Sequence, residues 1–274
     1  MNPADPVTTT GMGAPSETTG KVTLTMDVRG GEHAGGEGAA VLLVLPAHDE
    51  ERTVASVVAR APAAVEGHPV RCVVIDDGSA DRTAERARRA GAEVVGHASN
   101  RGLGAAVRTG LAEATARGAA AVAFCDADGE YAPEELELLV TPILRAELDY
   151  VVGSRFRGGT RGMLPHRRWG NRILTVLLAA IARTPITDGQ SGYRALSPAA
   201  AADAEIVHDY NYAQVLTLDL LAKGYRYGEV PISYSFRTSG RSFVRPLRYL
   251  RAVVPAVVRE LRSPSRRAAA PTPR

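Results

Sequence analysis

A chain of 274 residues with 45% apolar and 23% charged side chains is long enough for one large domain or two small ones and has the composition of a soluble globular protein. Its cationic charge comes almost wholly from arginine, since Lys21 and Lys223 are the only lysines, and a formal net charge of +3 is too mild for a nucleic-acid partner. No apolar run reaches the ~20 residues of a bilayer-spanning helix, so a cytoplasmic protein is expected, at most peripheral on the inner face of a membrane.

Residues 1–38, rich in Gly, Thr, Pro and Ser, read as a disordered tail with at most a short strand over 22–28, and they lack the apolar stretch of a secretory signal. A single domain is expected over 39–245. Within it, 40–46 is a short, fully apolar strand and 50–60 has helical spacing. Residues 70–75 repeat the strand pattern, 80–90 form a charged helix, 93–96 a shorter strand, and 104–117 a helix whose apolar face includes Ala106, Val107, Leu111 and Ala114. Residues 120–125 are another buried strand, 133–144 a helix with proline in its first turn, and 150–152 close the series. Cys72 and Cys125 fall inside strands and read as small core residues in a reducing compartment. After Arg155 the pattern changes. Residues 171–182 form an apolar helix, whose common fate is burial in the core, with lipid or a subunit as the alternative. Residues 246–262 alternate Arg with Leu, Val and Tyr at helical spacing, as suits an anionic membrane surface or packing on the domain itself or on a second subunit of a homodimer. Residues 263–274 read as a loose tail.

Four or more βα units in succession imply an α/β protein with an open, doubly wound, mostly parallel sheet flanked by helices, whose ligands bind beyond the carboxyl ends of the strands. Acidic residues stand at those ends: Asp49-Glu50 after the first strand, Asp76-Asp77-Gly78-Ser79 after the second, Asp126-Ala127-Asp128-Gly129-Glu130 after the fourth. Carboxylates gathered on one edge repel each other unless a cation neutralises them. In an extended segment Asp126 and Asp128 point the same way, with Glu130 after them, while Ala127 points into the core. Such hard oxygen ligands suit Mg²⁺ or Mn²⁺, whose coordination shell is completed by phosphate and water. Taken alone, Asp76 to Ser79 reads first as a turn before a capped helix, and the lone His166 and His208 read as surface or supporting residues.

These segments together resemble family 2 glycosyltransferases of GT-A fold, in the branch similar to dolichyl-phosphate and polyprenyl-phosphate mannose or glucose synthases. The resemblance covers roughly residues 40–245. It is carried by Pro46-Ala47-His48-Asp49-Glu50, where the family usually has Asn in place of Asp49, and by Val74-Ile75-Asp76-Asp77-Gly78-Ser79-Ala80-Asp81-Arg82-Thr83. Asn100 to Ala106, Asp126-Ala127-Asp128, Val152-Gly153-Ser154-Arg155-Phe156 and Thr187 to Ala195 continue it in order. The resemblance implies acceptor-side helices toward the C-terminus. It implies Pro46, His48, Glu50, Asp76 and Asp77 around the base and ribose of a nucleoside-diphosphate sugar, Asp126 and Asp128 on metal and diphosphate, and Glu130 as a further metal ligand. Arg155, Arg168 and Arg237 fall near positions where such synthases direct arginines toward donor and acceptor phosphates.

An inverting transfer follows from that set. An acceptor that is a polyprenyl phosphate is already anionic, whereas a small-molecule hydroxyl acceptor needs a base, for which Asp188 is the candidate; its other reading is a turn or cap residue before Gly189. Two departures bear on the acceptor: Gly240-Arg241-Ser242-Phe243 lacks a lysine common in the family, and Gln214 stands where an acidic residue is common. A non-catalytic nucleotide-sugar-binding protein is the remaining alternative, opposed by the intact acidic motifs.

Overall fold

The computed structural model describes residues 39–158, 160–161, 165–207, 209 and 212–235, without the side chains of 160–161 and 165–168. The N-terminal tail, His208, Arg237, the arginines around Gly240, the 246–262 segment and the C-terminal tail lie outside the described residues, and His166 and Arg168 are placed only as backbone of a helix.

The chain begins with β1 (Val41–Ala47), α1 (Val54–Arg60), β2 (Ala64–Val65), β3 (His68–Asp76), α2 (Thr83–Arg89), β4 (Glu93–Gly96), α3 (Leu103–Ala116) and β5 (Ala121–Phe124). A 3₁₀ turn (Pro133–Glu135) leads into α4 (Leu136–Leu144), followed by β6 (Tyr150–Ser154), α5 (Arg155–Gly158), β7 (Thr160–Arg161) and α6 (Pro165–Ala182). The remainder is β8 (Arg194–Leu196), α7 (Pro198–Asp203), α8 (Ala213–Ala222), β9 (Tyr227–Pro231) and β10 (Tyr234–Ser235).

The main sheet runs β2-β3-β1-β5-β8-β6-β9, with β4 also on β3, and a small pair joins β7 to β10. Every residue of β1 is buried, as expected of a central strand covered on both faces. Because side chains alternate, Val41, Leu43 and Leu45 meet Val54, Val57, Val58, Leu136, Leu139 and Val140 of α1 and α4 on one face. Leu42 and Val44 meet Val107 and Leu111 of α3 and Leu216 and Leu220 of α8 on the other. Gly110 lets α3 lie tight on the sheet: a Cβ there would stand 2.5 Å from Val44 Cγ1 and 2.9 Å from Phe124 Cε1.

β8 is antiparallel to both β5 and β6, and β2 is antiparallel to β3 at the edge; the other pairings of this sheet are parallel. From β1 the chain winds out through β3 and β4, then returns to the other side of β1 as β5. Pairing of β1 with β3 continues to Ala47 opposite Asp76, but pairing with β5 stops at Val44 opposite Phe124. The strand ends therefore part between β1 and β5, and Pro46, which has no N–H to give, stands beyond the last β5 pairing.

Candidate active site

Three loops meet at that parting. The loop after β1 is tied to the loop after β3: Asp49 N–H donates to Ser79 Oγ (3.0 Å), Ala80 N–H to Asp49 Oδ1 (2.9 Å), Glu50 N–H to Thr83 Oγ1 (2.8 Å) and Glu51 N–H to Asp81 Oδ2 (3.1 Å). Asp49 adopts φ 55°, a left-handed conformation that both Asn and Asp tolerate, and either side chain has the oxygen that Ala80 requires. His48 Nδ1 donates to the Asp77 carbonyl (3.0 Å), which fixes the ring at the mouth of the crevice. Pro46 is buried as the penultimate residue of β1, so it shapes the floor.

The two aspartates after β3 have different surroundings. Asp76 is half-buried and its Oδ1 accepts from Ser79 N–H (3.0 Å). Asp77 is buried and its carboxylate is occupied: Oδ1 accepts from Arg101 N–H (2.9 Å) and lies 2.6 Å from His97 Nδ1, and Oδ2 accepts from Gly102 N–H (2.7 Å). Through these bonds Asp77 anchors the turn that opens α3. His97, which the sequence reading passed over, is held in turn by Thr109 Oγ1 (2.9 Å).

Ala127 is buried while Asp126 and Asp128 are half-buried on either side of it, as the alternation predicts. Asp128 Oδ1 caps the following turn by accepting from Glu130 N–H (2.9 Å). The Asp126 carboxylate lies against the backbone of Gly192: a Cβ on Gly192 would stand 2.6 Å from Oδ2. Gly192 N–H donates to Tyr131 Oη (2.8 Å), whose hydroxyl burial pushes well above the ordinary phenol range. Glu130 has partners on the last described strand. Its Oε2 accepts from Tyr234 Oη (2.6 Å), its carbonyl from Ser235 N–H (3.0 Å), and among the described residues no three carboxylate, imidazole or thiol groups converge on one metal position. The aspartate pair alone still fits Mg²⁺ or Mn²⁺, which take one or two protein carboxylates and draw the rest of their shell from phosphate and water. The space that Gly192 leaves open is where the Asp126 carboxylate sits.

At the end of β6, Arg155 and Asp188 form a buried pair. Arg155 Nε and Nη2 fork onto Asp188 Oδ2 (2.7 Å) and Oδ1 (2.8 Å), and the Arg155 N–H also reaches Oδ2 (3.1 Å). Asp188 is 0% exposed and also accepts from Gln190 N–H (3.2 Å). A carboxylate so enclosed holds the Arg155 guanidinium in place. Arg155 stands 5.2 Å from the Tyr234 ring centre. Glu229 braces the same turn by accepting from the N–H groups of Thr187 (2.8 Å) and Asp188 (3.2 Å). Arg194, fully buried, donates to the carbonyls of Ser191 (2.6 Å), Gly189 (3.1 Å) and Ala213 (2.8 Å) and lies 5.8 Å from the ring centres of Tyr150 and Tyr212. It thereby fixes the 189–192 segment against Asp126. Gly192 and Arg194 were inside a motif the sequence reading quoted, but nothing local assigned them these roles.

The model of glycosyl transferase family 2 matches residues 42–203, more than half of the chain. The chain belongs to glycosyltransferase family 2. An undecaprenyl-phosphate mannosyltransferase of Micrococcus luteus is 30% identical over 74% of this chain and 86% of its own. A UDP-N-acetylglucosamine–dolichyl-phosphate N-acetylglucosaminyltransferase of Methanococcus voltae is 29% identical over 58% of this chain and 70% of its own. Among solved structures, the glucosyl-3-phosphoglycerate synthase of Mycobacterium tuberculosis, in complex with Mn²⁺, UDP and glucosyl-3-phosphoglycerate, superposes with a TM-score of 0.65 at 25% identity, covering 85% of this chain and 88% of that one. The architecture is the GT-A fold of this glycosyltransferase family, and the crevice between β1 and β5 is the ligand edge of such a sheet.

Proposed function

We propose that this family 2 glycosyltransferase is an inverting enzyme that moves a hexose from a nucleoside-diphosphate sugar to a polyprenyl phosphate, with Mg²⁺ or Mn²⁺ at the Asp126–Asp128 pair. The observation that carries the reading is the position of that pair: it follows β5 where β5 separates from β1, opposite the loop of His48 and Glu50, and Gly192 leaves room for the Asp126 carboxylate. The base and ribose of the donor occupy the crevice lined by His48, Glu50 and Asp76. A divalent ion there supplies positive charge that stabilises the departing nucleoside diphosphate.

In the transfer, the bond between the sugar C1 and the donor diphosphate oxygen breaks as an acceptor oxygen bonds to C1 from the opposite face. Arg155, charged and held rigid by Asp188, faces the acceptor's negative charge, and Arg168 and Arg237 serve the same phosphates. An anionic phosphate oxygen attacks without surrendering a proton. Enclosure of Asp188 therefore leaves this reaction intact, while it would deprive a hydroxyl acceptor of the base expected for it. Both curated relatives described above bear a polyprenyl- or dolichyl-phosphate acceptor in their names. The second reading, a small-molecule acceptor, rests on the likeness to a synthase crystallised with a phosphorylated glycerate product.

The test is transfer from radiolabelled nucleotide-hexoses with Mn²⁺, with and without polyprenyl phosphate. Label extracted into organic solvent only when the lipid is present is the expected result. Label confined to a water-soluble product favours the second reading, and no transfer from any donor overturns both. Full activity in Asp128→Asn would overturn the metal placement.

A further inference from the structure

We propose that the outer face of α6 seats on the surface of an anionic lipid bilayer, a partner surface that rests on, and deepens, the reading of a membrane-borne phosphate acceptor. Trp169, Ile173, Val176 and Leu177 are spaced i, i+4, i+7 and i+8, form one stripe, and are 71%, 58%, 60% and 55% exposed. Arg172 lies in the same patch. Four large apolar side chains so exposed on one helix mark an interaction surface. The opposite face is anchored: Thr175 Oγ1 accepts from Gly189 N–H (3.1 Å), and Leu178 packs with Ile186 and Leu218. The helix is thus fixed directly behind the turn that carries Asp188, the partner of Arg155, so a surface docked on it lies beside the acceptor side of the crevice.

Charge selects the occupant. Arg155 is neutralised by Asp188, and beyond it residues 156–187 contain six arginines and no Asp or Glu. The chain's own 236–262 segment carries seven arginines and one glutamate, so covering α6 with it brings like charges together. A second copy docked face to face stacks the same arginine-rich stretches on each other. An anionic bilayer reverses the sign: lipid head groups meet the arginines while Trp169 and the aliphatic side chains enter the boundary between head groups and acyl chains.

Trp169 is the only tryptophan, so the fluorescence of the full chain reports this face directly. Addition of vesicles containing phosphatidylglycerol is expected to shift its emission to the blue, and brominated acyl chains to quench it, with little response to purely zwitterionic vesicles. The double variant I173D/L177D, on exposed positions, should keep its melting temperature and lose vesicle binding by at least about tenfold. Four outcomes overturn the proposal: no response to any vesicle, equal binding by I173D/L177D, an already blue emission that dilution leaves unchanged, or a dimer that the same variant disrupts. If the parent chain binds vesicles yet transfers no sugar, the reaction reading fails and this one stands; transfer without vesicle binding sinks this one alone.

Discussion

Replacing Gly192 with alanine isolates the contact that positions the Asp126 carboxylate. The backbone at Gly192 is not in the left-handed region, so alanine meets no conformational penalty, and by itself would gain about 0.4–1 kcal/mol through a less flexible unfolded chain. The added Cβ, however, stands 2.6 Å from Asp126 Oδ2 and 3.1 Å from Oδ1 and Cγ. Close carbon–oxygen contacts settle at about 3.3–3.6 Å, so the carboxylate must retreat by roughly 0.7 Å. Metal–ligand distances tolerate shifts of only about 0.2 Å. A displacement of this size at a reacting centre costs on the order of 10²-fold in rate, while relieving the overlap costs about 1 kcal/mol, near the low end for overpacking because a carboxylate end can rotate. The expected variant melts within a few degrees of the parent, needs more Mn²⁺ for half-maximal transfer, and loses about 10²-fold in kcat/KM. Parent kcat/KM with an unchanged Mn²⁺ titration would refute the role assigned to this contact.

Gly110→Ala should destabilise by about 1–3 kcal/mol despite alanine's better helix propensity, because its Cβ meets Val44 and Phe124; a denaturant midpoint at or above the parent's would contradict the close approach of α3 to the sheet. Asp188→Asn leaves the buried Arg155 charge poorly paired and should lower stability by about 3–5 kcal/mol together with activity. An intact melting temperature with abolished kcat would instead restore Asp188 as a base. Asp77→Ala should lower the melting temperature by unhooking the Arg101–Gly102 turn, whereas Asp76→Ala should mainly weaken nucleotide binding, read as a smaller thermal shift by UDP. Burial pushes the Cys72 thiol up to about 11, and burial, with Asp126 and Asp128 nearby, holds Cys125 well above the ordinary thiol range, so neither should react quickly with a disulfide reagent at neutral pH in the folded chain. Fast labelling of Cys125 would mean that the floor beneath Asp126 opens.

Before Ser154 the parallel strands were legible because they are apolar runs alternating with helices of their own period, with acidic residues at strand ends, whereas the two-residue β2 left no such pattern. Strands β1, β3, β4, β5 and β6 fall where the sequence places them, each within a few residues. Beyond Arg155 the local signals fade for identifiable reasons. β8 is three residues long with a buried arginine at its head, and only pairing with β5 and β6 makes it a strand. In α8, Ala213 to Leu220 are all buried, so the sequence offers no polar face from which to recognise a helix. The helix expected over 171–182 begins earlier, at Pro165, and shows solvent four large side chains where core burial was the commoner expectation.

The aspartates show why residue type at a strand end locates a site without assigning its parts. Asp76 and Asp77 are neighbours in one loop, yet one is half-buried at the crevice and the other is consumed by two backbone N–H groups and a histidine. Asp188 and Asp126 both flank glycine-bearing turns, yet Asp188 is enclosed by Arg155 whereas Asp126 rests on a glycine that has no side chain to cover it. What separates these cases is the long-range partner: Arg101 and Gly102 for Asp77, Arg155 for Asp188, Gly192 for Asp126. Each partner lies at least 24 residues away in sequence, beyond the reach of any periodicity or capping rule. Sequence thus locates the charge on the sheet edge, and the fold decides which partner each carboxylate meets.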